Sequence, residues 1–283
     1  MTSPSKPRRS VLLALAAAAA VPASGCKDPP PPPAPVPAPE TASATDVTLP
    51  PTHDGTRELD AKLINYFRLI ERNQPGDTGT ARVRLRNHLK EHAKDGQAMF
   101  LFGLSYHREK RYGKARELFE QAIGHAPDFP TTYYFYGWCL YYLGEPEASR
   151  EMFESFLAVK PGYPDALFAL GLIDYDADRI DSARARFTEA IRLAAEKQDR
   201  STESKSRARL ADVLVRLGEL DEARRELLRS IDLNPDNYET YFKLSRVLDR
   251  LGDAEGAAEA RRKHDEVRER IRPGSDSRPE EIP

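Results

Sequence analysis

The segment His88-Leu89-Lys90-Glu91-His92 reads H-x-x-E-H. Two histidines four residues apart share one helix face, so His88 and His92 offer two zinc ligands with Glu91 as general base. A third protein ligand is required, and nothing in the sequence points to one. The alternative is that His88 packs inside a helix pair. Asp174, Asp176 and Asp178 alternate as in a calcium loop. Such a loop needs Gly at its sixth position and Glu at its twelfth, where this chain has Arg179 and Ala185. They read instead as an acidic turn, although Asp174 falls where an apolar residue is expected. Cys139 lies between Trp138 and Leu140 and reads as a packed thiol, because reactive cysteines want nearby positive charge. Arg82, Arg84, Arg86 and Lys90 form one basic helix face, either solvated or meeting anionic lipid or cell-wall polymer. No dinucleotide glycine motif, phosphate loop or nucleophile elbow is present. No catalytic residue, cofactor or metal is therefore assigned. A zinc-dependent hydrolase built on His88 and His92 is kept as the rival reading.

The 283 residues carry 43 Lys and Arg against 45 Asp and Glu, a net charge of −2. A general nucleic-acid binder needs a basic excess to displace counterions from phosphates, so nucleic acid is not an expected partner. Hydrophobic residues make up 40% and charged residues 31%, the balance of a folded, soluble body. Two cysteines, Cys26 and Cys139, give neither a disulfide framework nor a cysteine-only zinc site.

The N-terminus has a different grammar. Lys6, Arg8 and Arg9 precede an unbroken apolar run of 11 residues, Val11 to Val21. A bilayer-spanning helix needs about 20 residues, so this is the pattern of an export signal. Ala23-Ser24-Gly25 then lead directly into Cys26. That ending resembles the lipobox of bacterial lipoproteins. The resemblance implies removal of residues 1–25, lipidation of Cys26 and residence in the bacterial envelope, with Lys27 favouring the outer membrane, facing the periplasm. Arg8-Arg9 also weakly resembles a twin-arginine signal. Pro29 to Pro39 is a proline run broken only by Ala34, Val36 and Ala38. It should adopt extended polyproline II and act as a semi-rigid spacer, so residues 26–56 are expected to be a disordered linker. A second disordered stretch is expected at 272–283.

From residue 57 onward the helical period dominates. Gly103, Gly137 and Gly171 recur every 34 residues, as do Phe119, Phe153 and Phe187. Ala115, Ser149 and Ala183 follow the same period, as do Pro127 and Pro161. This spacing of small and large residues resembles the tetratricopeptide repeat (TPR) family. The resemblance implies an all-α solenoid of about six antiparallel helix pairs in a right-handed superhelix, spanning 57–271. The units are 62–95, which is degenerate, then 96–129, 130–163, 164–203, 204–237 and 238–271. The register slips by six residues near Glu196–Ser201, which suits a longer turn or an extended helix. The last second helix turns polar at Arg261, Arg262, Lys263 and His264, as the end of a stack requires.

In that family one face of every first helix lines a concave groove. Carried onto this chain, the lining is Phe100, Leu104 and His107, then Tyr134, Trp138, Tyr141 and Tyr142, then Phe168, Leu172 and Tyr175. Soluble monomers seldom expose so large an aromatic patch, and Trp, Tyr and Arg often dominate binding energy. The expected ligand is a protein or an apolar peptide or helix. The competing reading buries these rings in the stack. Pro29 to Pro39 is a further possible occupant, since polyproline docks on aromatic grooves. Together these features read as a membrane-anchored, non-catalytic scaffold in envelope assembly. A structural homo-oligomer, in which the groove accepts a second copy, remains an alternative.

Overall fold

A computed structural model describes residues 59–72, 74 and 76–273. The expected export signal, Cys26, the expected proline spacer and the end of the expected tail lie outside the described residues. Within them the chain is helical, with no strand. A 3-10 turn, Ala61–Leu63, leads into α1 (Ile64–Arg72), α2 (Asp77–Glu91), α3 (Gly96–Arg108) and α4 (Tyr112–His125). Then come α5 (Thr131–Tyr142), α6 (Pro146–Val159), α7 (Pro164–Asp176) and α8 (Ile180–Glu196). The last are α9 (Arg200–Leu217), α10 (Leu220–Leu233), α11 (Tyr238–Leu251) and α12 (Ala254–Ile271).

Local chemistry sets these boundaries. The Asp95 carboxylate caps α3 by accepting from the Ala98 amide at 3.0 Å, and Asp199 does the same for α9 through the Thr202 amide at 3.0 Å. Pro146 and Pro164 open α6 and α7, where a missing N–H costs nothing. Each turn inside the last five pairs contains one left-handed residue: Lys110, Gly144, Asp178, Gly218 and Gly252.

Each odd-numbered helix pairs with the next even one, and α3, α5, α7 and α9 also touch in succession. The repeated glycine allows the close approach within a pair. A Cβ on Gly171 would lie 2.6 Å from the Phe187 ring, and one on Gly103 would lie 2.8 Å from Phe119. Phe119, Phe153 and Phe187 are fully buried. The degenerate first unit forms a real pair, burying Leu63, Phe67 and Ile70 against Ala81 and Leu85.

The six-residue slip resolves into helix. The helix α8 has 17 residues and α9 has 18, against 14 in both α10 and α11. The turn between α8 and α9 shortens to residues 197–199. The first helix of that unit therefore begins at Arg200, four residues before the expected boundary at Ser204.

Candidate functional site

The residues expected to line the groove divide into three groups. Phe100 and Leu104 on α3 have no exposed surface. The Phe100 ring packs edge-on to Phe129 at 5.2 Å and lies 5.7 Å from Phe135. Phe129, in the turn after α4, and Phe135, on α5, close over α3, because burying a large side chain gains about 1.5–3 kcal/mol. Neither residue is available to a ligand, which corrects the expectation for this part of the wall. Trp138, Phe168 and Leu172 are also buried, at 8%, 6% and 7% exposure. Trp138 packs against Phe153 at 5.4 Å, and Phe168 against Phe187 at 5.8 Å. Most of the expected apolar stripe is thus core.

The remaining residues keep open surface. Tyr134, Tyr141 and Tyr142 on α5 and Tyr175 on α7 are partly exposed, as is His107 on α3. Polar partners hold Tyr134, Tyr141 and Tyr175, and a ring holds Tyr142. The Tyr141 hydroxyl donates to the Asp176 carboxylate at 2.9 Å. Tyr142 stacks on Tyr112 with centroids 4.8 Å apart. The Arg216 guanidinium lies 5.1 Å over the Tyr175 ring and pairs with Asp178. Tyr134 donates to Asp165, which also pairs with Lys205, and that ammonium lies 4.7 Å over Phe168. Burial and then the Asp165 charge push the Tyr134 phenol well above its ordinary pKa.

The first-helix face is therefore tyrosine edges interleaved with ions, not a bare aromatic wall. The same character continues onto α9 and α11. There Asp212 accepts from Lys243 at 2.6 Å and from Arg209 at 3.3 Å. Burial lowers the Lys243 pKa. Phe242 remains 48% exposed. Sequence reasoning missed the roles of Asp165, Lys205 and Arg216. The available signal was an acid or base repeated at groove-facing positions of successive units.

The other chemical candidates have structural occupations. The His88 ring nitrogen Nε2 lies 2.8 Å from the Asp95 carboxylate, and its ring meets His92 at 4.5 Å. Among the described residues, no group of three or more His, Cys, Asp or Glu is arranged to hold a metal ion. Cys139 is fully buried and donates to the Tyr112 carbonyl at 3.2 Å. Burial pushes its thiol up to about 12, so it stays protonated and unreactive at neutral pH.

Asp174, out of place in the pattern, is 1% exposed and accepts from Arg150 at 2.6 Å, Arg179 at 2.8 Å and Arg186 at 2.8 Å. Burial opposes its charge, but the hydrogen bonds from Arg179 and Arg150 outweigh that and hold its carboxyl below the ordinary range. It is a polar tie between α6, α7 and α8, with no part in a calcium loop.

A family model described as tetratricopeptide repeat matches residues 75–130, 137–198 and 208–275. No curated protein is significantly similar to the chain. Among solved structures, PilW, described as a widely conserved type IV pilus biogenesis factor, is 22% identical with a TM-score of 0.62. That match covers 75% of this chain and 94% of PilW. BtubC from P. vanneervenii is 14% identical with a TM-score of 0.58, covering 77% of this chain and 96% of that one. YrrB, described as a TPR protein with an unusual peptide-binding site, is 17% identical with a TM-score of 0.50, covering 65% and 91%. At these identities the likeness is one of fold.

Proposed function

This chain belongs to the tetratricopeptide repeat family, and from that premise we propose that it is a non-catalytic adaptor binding a partner protein or peptide along its first-helix face. One observation carries the reading. Tyr141, Tyr142 and Tyr175 keep open surface on two adjacent first helices, with the Arg216 guanidinium over the Tyr175 ring. Tyrosine and arginine supply large contact area together with hydrogen bonding, and they recur among the residues that dominate binding energy. Their hydroxyl and guanidinium groups select a segment carrying both apolar and charged side chains, not the purely apolar peptide that the aromatic stripe suggests. The peptide-binding description of YrrB agrees with this class of ligand.

Export and lipidation at Cys26, with residues 26–56 as spacer, would place the adaptor on the bacterial outer membrane facing the periplasm. The sequence pattern at Ala23-Ser24-Gly25-Cys26 supports this part of the proposal. Replacing Cys26 with Ser should move the protein from the membrane fraction to the soluble fraction and abolish incorporation of labelled palmitate. Retention on the membrane with no label in either form would remove the anchor.

The binding face is tested by affinity capture from membranes with the wild type and with Tyr141→Ala plus Tyr175→Ala. Each truncated anchor is expected to cost at least about 1 kcal/mol. Affinity for the captured partner should therefore fall at least about thirtyfold, with helix content unchanged. Equal affinity in both forms would remove the face from the mechanism.

A further inference from the structure

Charge is segregated along the solenoid. Residues 59–116 carry thirteen Lys and Arg against six Asp and Glu, and residues 117–273 carry twenty-four against thirty-one. The folded body thus has +7 at its N-terminal end and −7 over the remainder, a segregation the near-neutral total conceals.

The positive end is unevenly paired. Arg82 is taken up by Glu109 at 2.7 Å, and Arg72 is held by Asp77 at 3.2 Å. Arg68, Arg84, Arg86 and Lys94 make no ion pair among the described residues. Lys90 reaches the Asn87 side-chain oxygen at 3.2 Å. On α2, Arg84 and Arg86 flank Val83, which is 56% exposed, and Lys90 lies one turn beyond Arg86. Arg84 also joins Asn65, Arg68, Leu69 and Arg72 of α1 around a shallow recess. Glu91 is the exposed acid on this side of α2. Arg68 and Arg84, whose guanidiniums make no ion pair among the described residues, both border this recess, and guanidiniums suit the oxygens of a phosphate ester. An exposed valine between cations suits the boundary between headgroups and acyl chains.

We infer that the outer face of α1 and α2 docks on an anionic phospholipid surface. Charge complementarity supports a lipid occupant, and so does position in the chain. The described body begins at Leu59, so an anchor at Cys26 delivers this end to the bilayer first. The remaining acidic body is repelled from the same surface, so the field orients the molecule with α1 and α2 down. The argument from position rests on the proposed Cys26 anchor, but the inference does not depend on the partner-binding face. It concerns a different face, and loss of vesicle binding leaves the affinity for a protein ligand untouched.

The test is co-flotation of the full chain carrying Cys26→Ser with phosphatidylcholine vesicles, with and without about a third of phosphatidylglycerol. At about 0.1 M salt the chain should partition at least tenfold more strongly to the anionic vesicles, and about 0.5 M salt should erase the preference. Each surface cation contributes about fivefold. Arg68→Gln, Arg84→Gln and Arg86→Gln together should therefore lower binding to anionic vesicles to the level of phosphatidylcholine alone, a loss of at least tenfold and up to about 100-fold. Arg84→Gln by itself should lower it about fivefold, which keeps the test valid if the triple variant folds poorly. A control variant with Arg224→Gln, Arg225→Gln and Arg246→Gln removes the same charge elsewhere and should bind like the wild type. Absence of any preference for anionic vesicles, or an equal loss in the control, overturns the inference.

Discussion

His107 is the residue least at ease in this structure. Its ring is wedged among Tyr112 at 5.3 Å, Phe135 at 6.0 Å and Tyr142 at 6.3 Å. Its Nε2 is buried without a hydrogen-bond partner among the described residues. Burial, then the neighbouring Arg108 charge, lowers its pKa to about 3. The unfolded chain titrates at about 6.5, so below that pH the unfolded state takes a proton that the folded state refuses. The contribution is fully present above about pH 6.5 and falls by up to about 1.4 kcal/mol per pH unit as pH drops toward the folded value. Urea unfolding at pH 7 and pH 5 should show the wild type losing about 2 kcal/mol more than His107→Phe. Parallel losses would mean that the ring is solvated. Asp174 has the opposite sign, because its carboxyl is held below the ordinary value of 3.8. Its stabilisation is present above about pH 4 and is lost as pH falls through the folded pKa. Asp174→Asn at pH 7 should cost about 2–4 kcal/mol by leaving Arg150, Arg179 and Arg186 without their shared counter-charge, read as a lower urea midpoint. The sequence marked Asp174 as anomalous but could not name its partners. Arg150 lies 24 residues upstream on another helix, and such a pairing has no local signature.

At the scale of helices the repeat spacing was almost wholly legible, because the residues that define it meet within one pair. Gly103 and Phe119 are in contact across α3 and α4, and Gly171 and Phe187 across α7 and α8, so each unit writes its own packing into about 34 residues. The turn residues obey the same rule, with Lys110 and Asp178 accepting the left-handed conformation that Gly144 adopts in the unit between them. What escaped was the contact between units. The repeat pattern puts Phe100 and Leu104 on the open face because it fixes which side of a helix a residue occupies, not how closely the next helix leans on it. Phe135 on α5 decides that, together with Phe129 in the turn that leads to it, and both lie outside the repeat signature. The intra-pair contact is testable through Gly171→Ala. The added methyl would meet a buried ring at 2.6 Å, so α7 and α8 must separate. Overpacking of this kind costs about 1–3 kcal/mol. Adding Phe187→Leu should recover part of the loss in a thermal melt. A single substitution with an unchanged midpoint would show that the pair has slack.

The described residues form two buried apolar clusters, and α5 belongs to both. Phe135, Tyr136, Cys139 and Leu140 pack with α1 to α4, whereas Trp138 packs with α6 to α12. Tyr134 spans the seam through Phe135 at 5.1 Å and Phe156 at 5.3 Å, and Tyr142 spans it by stacking on Tyr112 and Trp138. In a linear stack, stability is the sum of unit terms and nearest-neighbour interfaces, so the boundary between the two clusters can divide unfolding into two steps. The single tryptophan reports one side of that seam. Phe119 is buried on the other side, and Phe119→Ala should remove about 3–5 kcal/mol from the N-terminal cluster. Far-UV circular dichroism should then show an early urea transition for α1 to α4, while the Trp138 fluorescence midpoint stays close to that of the wild type. If both probes move together, α5 transmits the full loss, and the two clusters fold and fail as one cooperative body. A decoupled N-terminal end would let the basic face of α1 and α2 respond to a surface without disturbing the tyrosine face of α5 and α7. That separation is the mechanical condition under which the two proposed faces could act independently.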